Sequence, residues 1–83
     1  MSSIDLEPVL AHFTEKIGGD RSLLPAHGES LVDEGILDSF GLAELVSVIE
    51  AAYEVKVPDE DIALTTFDTV DKIVAWVSAQ KAS

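Results

Sequence analysis

Apolar residues in the first stretch of the chain fall at Leu6, Val9, Leu10, Phe13 and Ile17, the i, i+3, i+4, i+7 and i+11 positions of one helical stripe. The spacing predicts a first helix that begins near residues 4 to 7. Pro8 then falls in the first turn, where backbone N–H groups have no intrahelical acceptor. Gly18-Gly19 ends it. A second, cleaner stripe of Leu42, Leu45, Val46, Ile49 and Tyr53 follows Asp38-Ser39, and Asp is a good N-cap. A helix is therefore expected from Asp38-Ser39 to Tyr53 or Glu54, where Val55-Lys56-Val57-Pro58 turns β-branched and meets a proline. Asp59-Glu60-Asp61, ahead of Ile62 and Leu64, suggests one short helical turn with acids at its positive end. A last helix is predicted from about Thr69 to Gln80, with Val70, Ile73, Val74 and Val77 as its stripe and Asp68 with Asp71 as its capping pair.

Between the first two helices, residues 20 to 37 hold Asp20, Pro25, Gly28, Ser30 and Gly35, a composition of turns. Leu23, Leu24, Leu31, Ile36 and Leu37 are scattered among them, so this long loop is expected to be pinned to the core. No segment has the sustained alternation of a half-buried strand. The fold expected is all-α: a small four-helix bundle of three main helices and one short one, forming a single domain over residues 1–83 with a frayed tail at Lys81-Ala82-Ser83.

Composition narrows the chemistry. At 83 residues and 47% hydrophobic, the chain has the apolar content for one small core. It has no cysteine, which removes a disulfide framework, a zinc-thiolate site and a protein thiol nucleophile together. Five Lys and Arg against 16 Asp and Glu leave a formal charge of −11. That argues against a nucleic-acid backbone or an anionic membrane surface as partner and favours a basic one. No stretch approaches the roughly 18 apolar residues of a membrane span, and MSSIDLEPVL lacks the positive flank and apolar run of a leader, so a cytoplasmic protein is expected.

The charge is local. From Glu29 to Asp61 there are ten acids and a single base, Lys56. Winding the second helix at about 100° per residue places Phe40, Ala43, Glu44, Ser47, Glu50, Ala51 and Glu54 opposite the stripe, with Val48 also off it. A solvated acidic face is the plain reading. Against it, Glu50 and Glu54 are like charges at i, i+4 with no compensating Lys on the face, and Phe40 is a large apolar group on the outside. A basic, partly apolar partner would relieve both.

The run Asp33-Glu34-Gly35-Ile36-Leu37-Asp38-Ser39-Phe40, then Glu44-Leu45-Val46, Ile49-Glu50, Tyr53 and Val57-Pro58-Asp59-Glu60-Asp61, resembles the acyl carrier and peptidyl carrier protein family over nearly the whole chain. The resemblance implies a four-helix bundle whose second helix opens on a serine that receives a 4′-phosphopantetheine arm from coenzyme A. Here that serine is Ser39, with Asp38 assisting the Mg²⁺-dependent phosphopantetheinyl transferase. N-capping is the simplest alternative role for Asp38, and the two roles are compatible. A helix start suits the resulting phosphodiester through its free N–H groups and dipole. The family also implies a non-catalytic protein whose cargo rides as a thioester on the arm's thiol, which accounts for the missing cysteine. Glu44, Glu50, Glu54 and Asp59 match acidic recognition positions, Phe40 replaces an exposed leucine, and Val48 matches an exposed apolar contact. The partners implied are the transferase, a loading ligase or acyltransferase, and downstream biosynthetic enzymes with basic docking surfaces, met by a monomer. Gly41, Ala51 and Ala52 replace residues that are often acidic or polar, and Ile36-Leu37 stands where fatty-acid carriers often have a small residue before Asp-Ser. These departures resemble free-standing carriers of aminoacyl groups, D-alanyl carriers for example, or of specialised metabolites.

Other chemistries fit poorly. Leu37-Asp38-Ser39-Phe40-Gly41 lacks the first glycine of a hydrolase elbow and no strand precedes it. Asp59-Glu60-Asp61 lacks the glycine and closing glutamate of an EF-hand. His12 is expected on the side of the first helix, His27 in a solvated loop, and Trp76 at the edge of the core. The rival reading from another class is an unmodified acidic interaction module, an adaptor or inhibitor docking on a basic enzyme.

Overall fold

The computed structural model describes residues 5–82 and is helical, with no strand among them. Helix α1 spans Glu7–Lys16, with Pro8 in its first turn. It stops at Gly18 and Gly19, whose φ values of 98° and 95° a side chain would disfavour. Helix α2 spans Ser39–Tyr53 and is capped by Asp38, whose Oδ1 accepts from the Gly41 N–H at 2.7 Å. Helix α3 spans Val70–Ala82. The short turn after Pro58 is a 3₁₀ turn at Asp59–Asp61, and a second 3₁₀ turn at Arg21–Leu23 lies within the first loop. That second turn has no apolar period to betray it, because three residues are too few to show one.

The core is one cluster that takes the inner face of every helix. Val9 and Phe13 come from α1, Leu42, Leu45, Val46, Ile49 and Tyr53 from α2, and Val70, Ile73 and Val77 from α3, with Leu31, Leu37, Val57 and Phe67 from the connections. The five-residue stripe read from the α2 sequence is therefore buried in full. Trp76 packs edge-on against Phe67 at 5.6 Å between ring centres and donates its Nε1–H to Asp61 at 3.1 Å, which places it at the core edge with a polar partner. No helix among the described residues is long and apolar enough to cross a membrane.

The long loop is pinned, but by fewer leucines than expected. Leu31 and Leu37 are fully buried and Leu24 and Ile36 pack against the core, whereas Leu23 is 66% exposed. Its 3₁₀ turn carries it outward, so it is not an anchor. The loop is held instead by hydrogen bonds to the start of α3. Leu31 N–H donates to the Asp68 carbonyl at 2.7 Å, Ser30 Oγ donates to Asp68 Oδ1 at 2.7 Å, and Asp71 N–H donates to the His27 carbonyl at 3.0 Å. Asp68 is thus used across the fold, and the cap of α3 is Thr69, whose Oγ1 accepts from the Lys72 N–H at 3.0 Å. The Asp68–Asp71 capping pair does not form: the Asp68 carboxylate accepts from Ser30 and Val32 of the loop, and the Asp71 N–H goes to His27.

Candidate functional site

Leu37 is drawn into the core and its N–H donates to the Leu31 carbonyl, so the chain enters α2 from a fixed point. Asp38 is extended, and its side chain closes the first turn on Gly41. Gly41 is buried at this turn, where an added Cβ would stand 3.3 Å from Asp38 Oδ1 and 3.8 Å from Leu37 Cδ1. A side chain at 41, where the resembled pattern often has one, would have to shift the capping carboxylate by a few tenths of an ångström.

The cap leaves Ser39 and Phe40 outside, Phe40 at 85% exposure. The Ser39 hydroxyl has no hydrogen-bond partner among the described residues. The first turn of α2 holds no acid and its N–H groups precede the intrahelical ladder. An anion attached at Ser39 would therefore meet the positive end of the helix dipole, beside the capping carboxylate of Asp38 and with no other acid in the first turn. A phosphodiester fits this position through the helix dipole and the N–H groups that lack an intrahelical acceptor.

The carboxylates on the outer side of α2 are not equivalent. Glu44 Oε1 pairs with Lys16 Nζ of α1 at 2.5 Å, and that hydrogen bond and charge hold its carboxyl below the usual carboxylate range. The base from α1 thus meets Glu44, not the Glu50–Glu54 pair for which the helix face has no compensating lysine. Glu50, expected as a free carboxylate, is half-buried, and its Oε2 accepts from the Val57 N–H at 2.8 Å. It ties the segment after the helix back onto the helix. Glu54 is exposed at the C-cap in the left-handed conformation, φ 54° and ψ 48°. Asp59 is exposed in the 3₁₀ turn. Val48 is half-buried between these acids and the stripe.

Thus Asp38, Ser39 and Phe40 stand together at one end of α2, Glu44 and Val48 lie along it, and Glu54 and Asp59 lie at and beyond the other end. Two residues of α1, of which only His12 was placed from the sequence, join Glu44. Lys16 is one, and His12 is the other: together with Glu15 they line an open groove against Glu44. His12 is half-buried and its Nε2 has no partner; burial, reinforced by the Lys16 charge, holds its pKa below the ordinary histidine value, with Glu44 and Glu15 opposing. His27 is exposed in the loop.

The family model of the phosphopantetheine attachment site matches residues 9–77, from the first core residue of α1 to the last of α3. The chain belongs to this phosphopantetheine-binding family. A D-alanyl carrier protein of Streptococcus uberis is 43% identical over 49 residues, covering 59% of this chain and 62% of that protein. D-alanyl carrier proteins of Streptococcus pyogenes serotypes M5 and M49 are each 41% identical over 49 residues, with the same coverage. The chain therefore aligns with about three fifths of the length of these relatives. Membership makes 4′-phosphopantetheine the group to test against the site, and the exposed hydroxyl at a helix start fits it.

Proposed function

We propose that Ser39 carries 4′-phosphopantetheine and that this phosphopantetheine-binding protein is a free-standing carrier of acyl or aminoacyl thioesters, outside bulk fatty-acid synthesis. The observation that carries the reading is the placement of an exposed, unpartnered serine at the Asp38-capped start of α2 in a chain matched by the attachment-site family over residues 9–77. The names of the D-alanyl carrier relatives favour an aminoacyl cargo.

In this reading the Ser39 hydroxyl attacks the β-phosphorus of coenzyme A within a Mg²⁺-dependent transferase. The nucleotide portion leaves, and the proton goes to a base of that enzyme. Asp38 keeps the helix start in place while its remaining oxygen faces the transferase. When attached, the arm supplies the thiol that this chain lacks. The chain's own contribution is to present that thiol to successive enzymes at a high effective concentration. Glu44, Glu54 and Asp59, with the apolar Phe40 and Val48, form the surface that meets basic partners such as the transferase, the loading ligase or acyltransferase, and later enzymes of the pathway. Glu50 serves that surface by holding the segment that bears Asp59. The protein acts as a cytoplasmic monomer.

Incubation with coenzyme A, Mg²⁺ and a promiscuous phosphopantetheinyl transferase should add one phosphopantetheinyl group, seen by intact mass, and Ser39→Ala should abolish the gain. No gain with several transferases would sink the carrier reading and leave the unmodified acidic interaction module in its place.

A further inference from the structure

Along the outer side of α2, Glu44 is the one carboxylate of the proposed docking surface that already has a cationic partner within the described residues. Lys16 Nζ approaches it from the last turn of α1, across a sequence separation of 28 residues. The pair is not sealed: the lysine side chain is 35% exposed and the glutamate 57%. Its two charges sit at the rim of the open groove that also contains His12 and Glu15. A basic side chain arriving at this surface meets a carboxylate that is occupied but can be released, because an exposed ion pair is held only weakly.

We propose that Lys16 is a specificity-determining residue that competes intramolecularly with basic partners for Glu44. A partner gains Glu44 only by displacing Lys16, so enzymes that place an arginine there, with its two-pronged donor geometry, are favoured over those offering a diffuse positive surface. Glu54 and Asp59, which lie at and beyond the far end of α2, remain open to any cation. The proposal rests on the carrier reading above, since it takes the outer side of α2 to be the docking surface.

The probe is a phosphopantetheinyl transferase with coenzyme A acting on the full chain in its unmodified form. At low ionic strength Lys16→Gln should lower KM for the protein about two- to fivefold with kcat unchanged, and the gain should shrink at about 0.5 M salt. Lys16→Arg, which can keep the pair, should behave as the parent. Glu44→Gln should raise KM, and in that background Lys16→Gln should no longer lower it. Lys72→Gln, the same charge change on α3, controls for net charge. A second readout is independent of any partner: Lys16→Gln should move the NMR titration of His12 upward, because the charge that depresses it is gone. If Glu44→Gln raises KM but Lys16→Gln leaves it unchanged, or lowers it equally without Glu44, the competition is overturned while the docking surface stands. If Glu44→Gln itself leaves KM unchanged, the docking role of Glu44 falls and the competition with it.

Discussion

Side-chain hydrogen bonds tie the C-terminal end of α2 to three other parts of the chain, whereas at its N-terminal end the side-chain hydrogen bond is the local cap from Asp38. At the C-terminal end the Tyr53 hydroxyl donates to the Asp5 carbonyl at 2.6 Å, Lys81 Nζ donates to the Tyr53 carbonyl at 3.1 Å, and Glu50 receives the Val57 N–H. At the other end Asp38 bonds to Gly41, and Ser39 and Phe40 are left to solvent. One helix thus separates two demands. Its C-terminal end spends polar groups on joining elements, and its N-terminal end leaves a hydroxyl and a ring exposed.

The inner face between the two ends should matter most to folding. Leu45 and Ile49 are fully buried, so truncating either to Ala should cost about 2–5 kcal/mol in denaturant unfolding. A negligible loss would mean that the helix is turned differently and that the contrast between its ends is misplaced.

Glu50 sharpens the contrast at the tied end. Glu50→Ala removes the acceptor for the Val57 N–H and should cost about 1–3 kcal/mol. Glu50→Gln keeps a side-chain carbonyl and should recover most of that stability and leave transferase kinetics near those of the parent. If Gln instead slows transfer as much as Ala at unchanged stability, Glu50 acts by charge, and the tied end reaches the partner after all.

At the open end, Asp38→Ala should cost about 1 kcal/mol through loss of the cap. Asp38→Asn retains a capping oxygen, so its melting curve should stay close to the parent's. A fall in modification rate in Asp38→Asn then isolates the role of the carboxylate toward the transferase. Equal modification rates for Asn and Asp would reduce Asp38 to a cap.

What could be read from the sequence divides along the same physical line. The Asp38 cap, the α2 stripe and the exposure of Phe40 depend on spacing within one helix, which the 3.6-residue period specifies directly. Lys16 beside Glu44, Glu50 on Val57 and Asp68 on Ser30 depend on how separate elements come together. For Lys16 the separation is 28 residues and for Ser30 with Asp68 it is 38, and no local rule carries a register across such distances. The misassigned cap of α3 has the same origin. By local pattern Asp68 and Thr69 are both good caps, and only the loop packed beside them decides between the two. The setting of Ser39, the proposed attachment residue, was legible because it is local, and the state of each carboxylate on the proposed docking surface was not because it is tertiary.

His12 tests the middle of the helix, where the tied and open ends meet. Burial disfavours its charged form, and Lys16 adds to that, so its folded-state pKa lies below the ordinary value near 6.5. A base with a depressed folded-state pKa binds its proton more readily in the unfolded chain. Its stabilising contribution is therefore complete above about pH 6.5 and is lost as pH falls through the depressed value. Glu44 and Glu7 are also depressed, but as carboxylates they lose their contributions at lower pH, so the windows separate. Between about pH 7.5 and 5 the melting temperature of the parent should fall further than that of His12→Gln, by a small margin given the partial exposure of the ring. Parallel curves would mean that His12 is hydrated like a surface histidine. The α1–α2 groove would then be open enough for Lys16 and Glu44 to part freely, and the outer side of α2 would be as unconstrained at its middle as it is at Ser39.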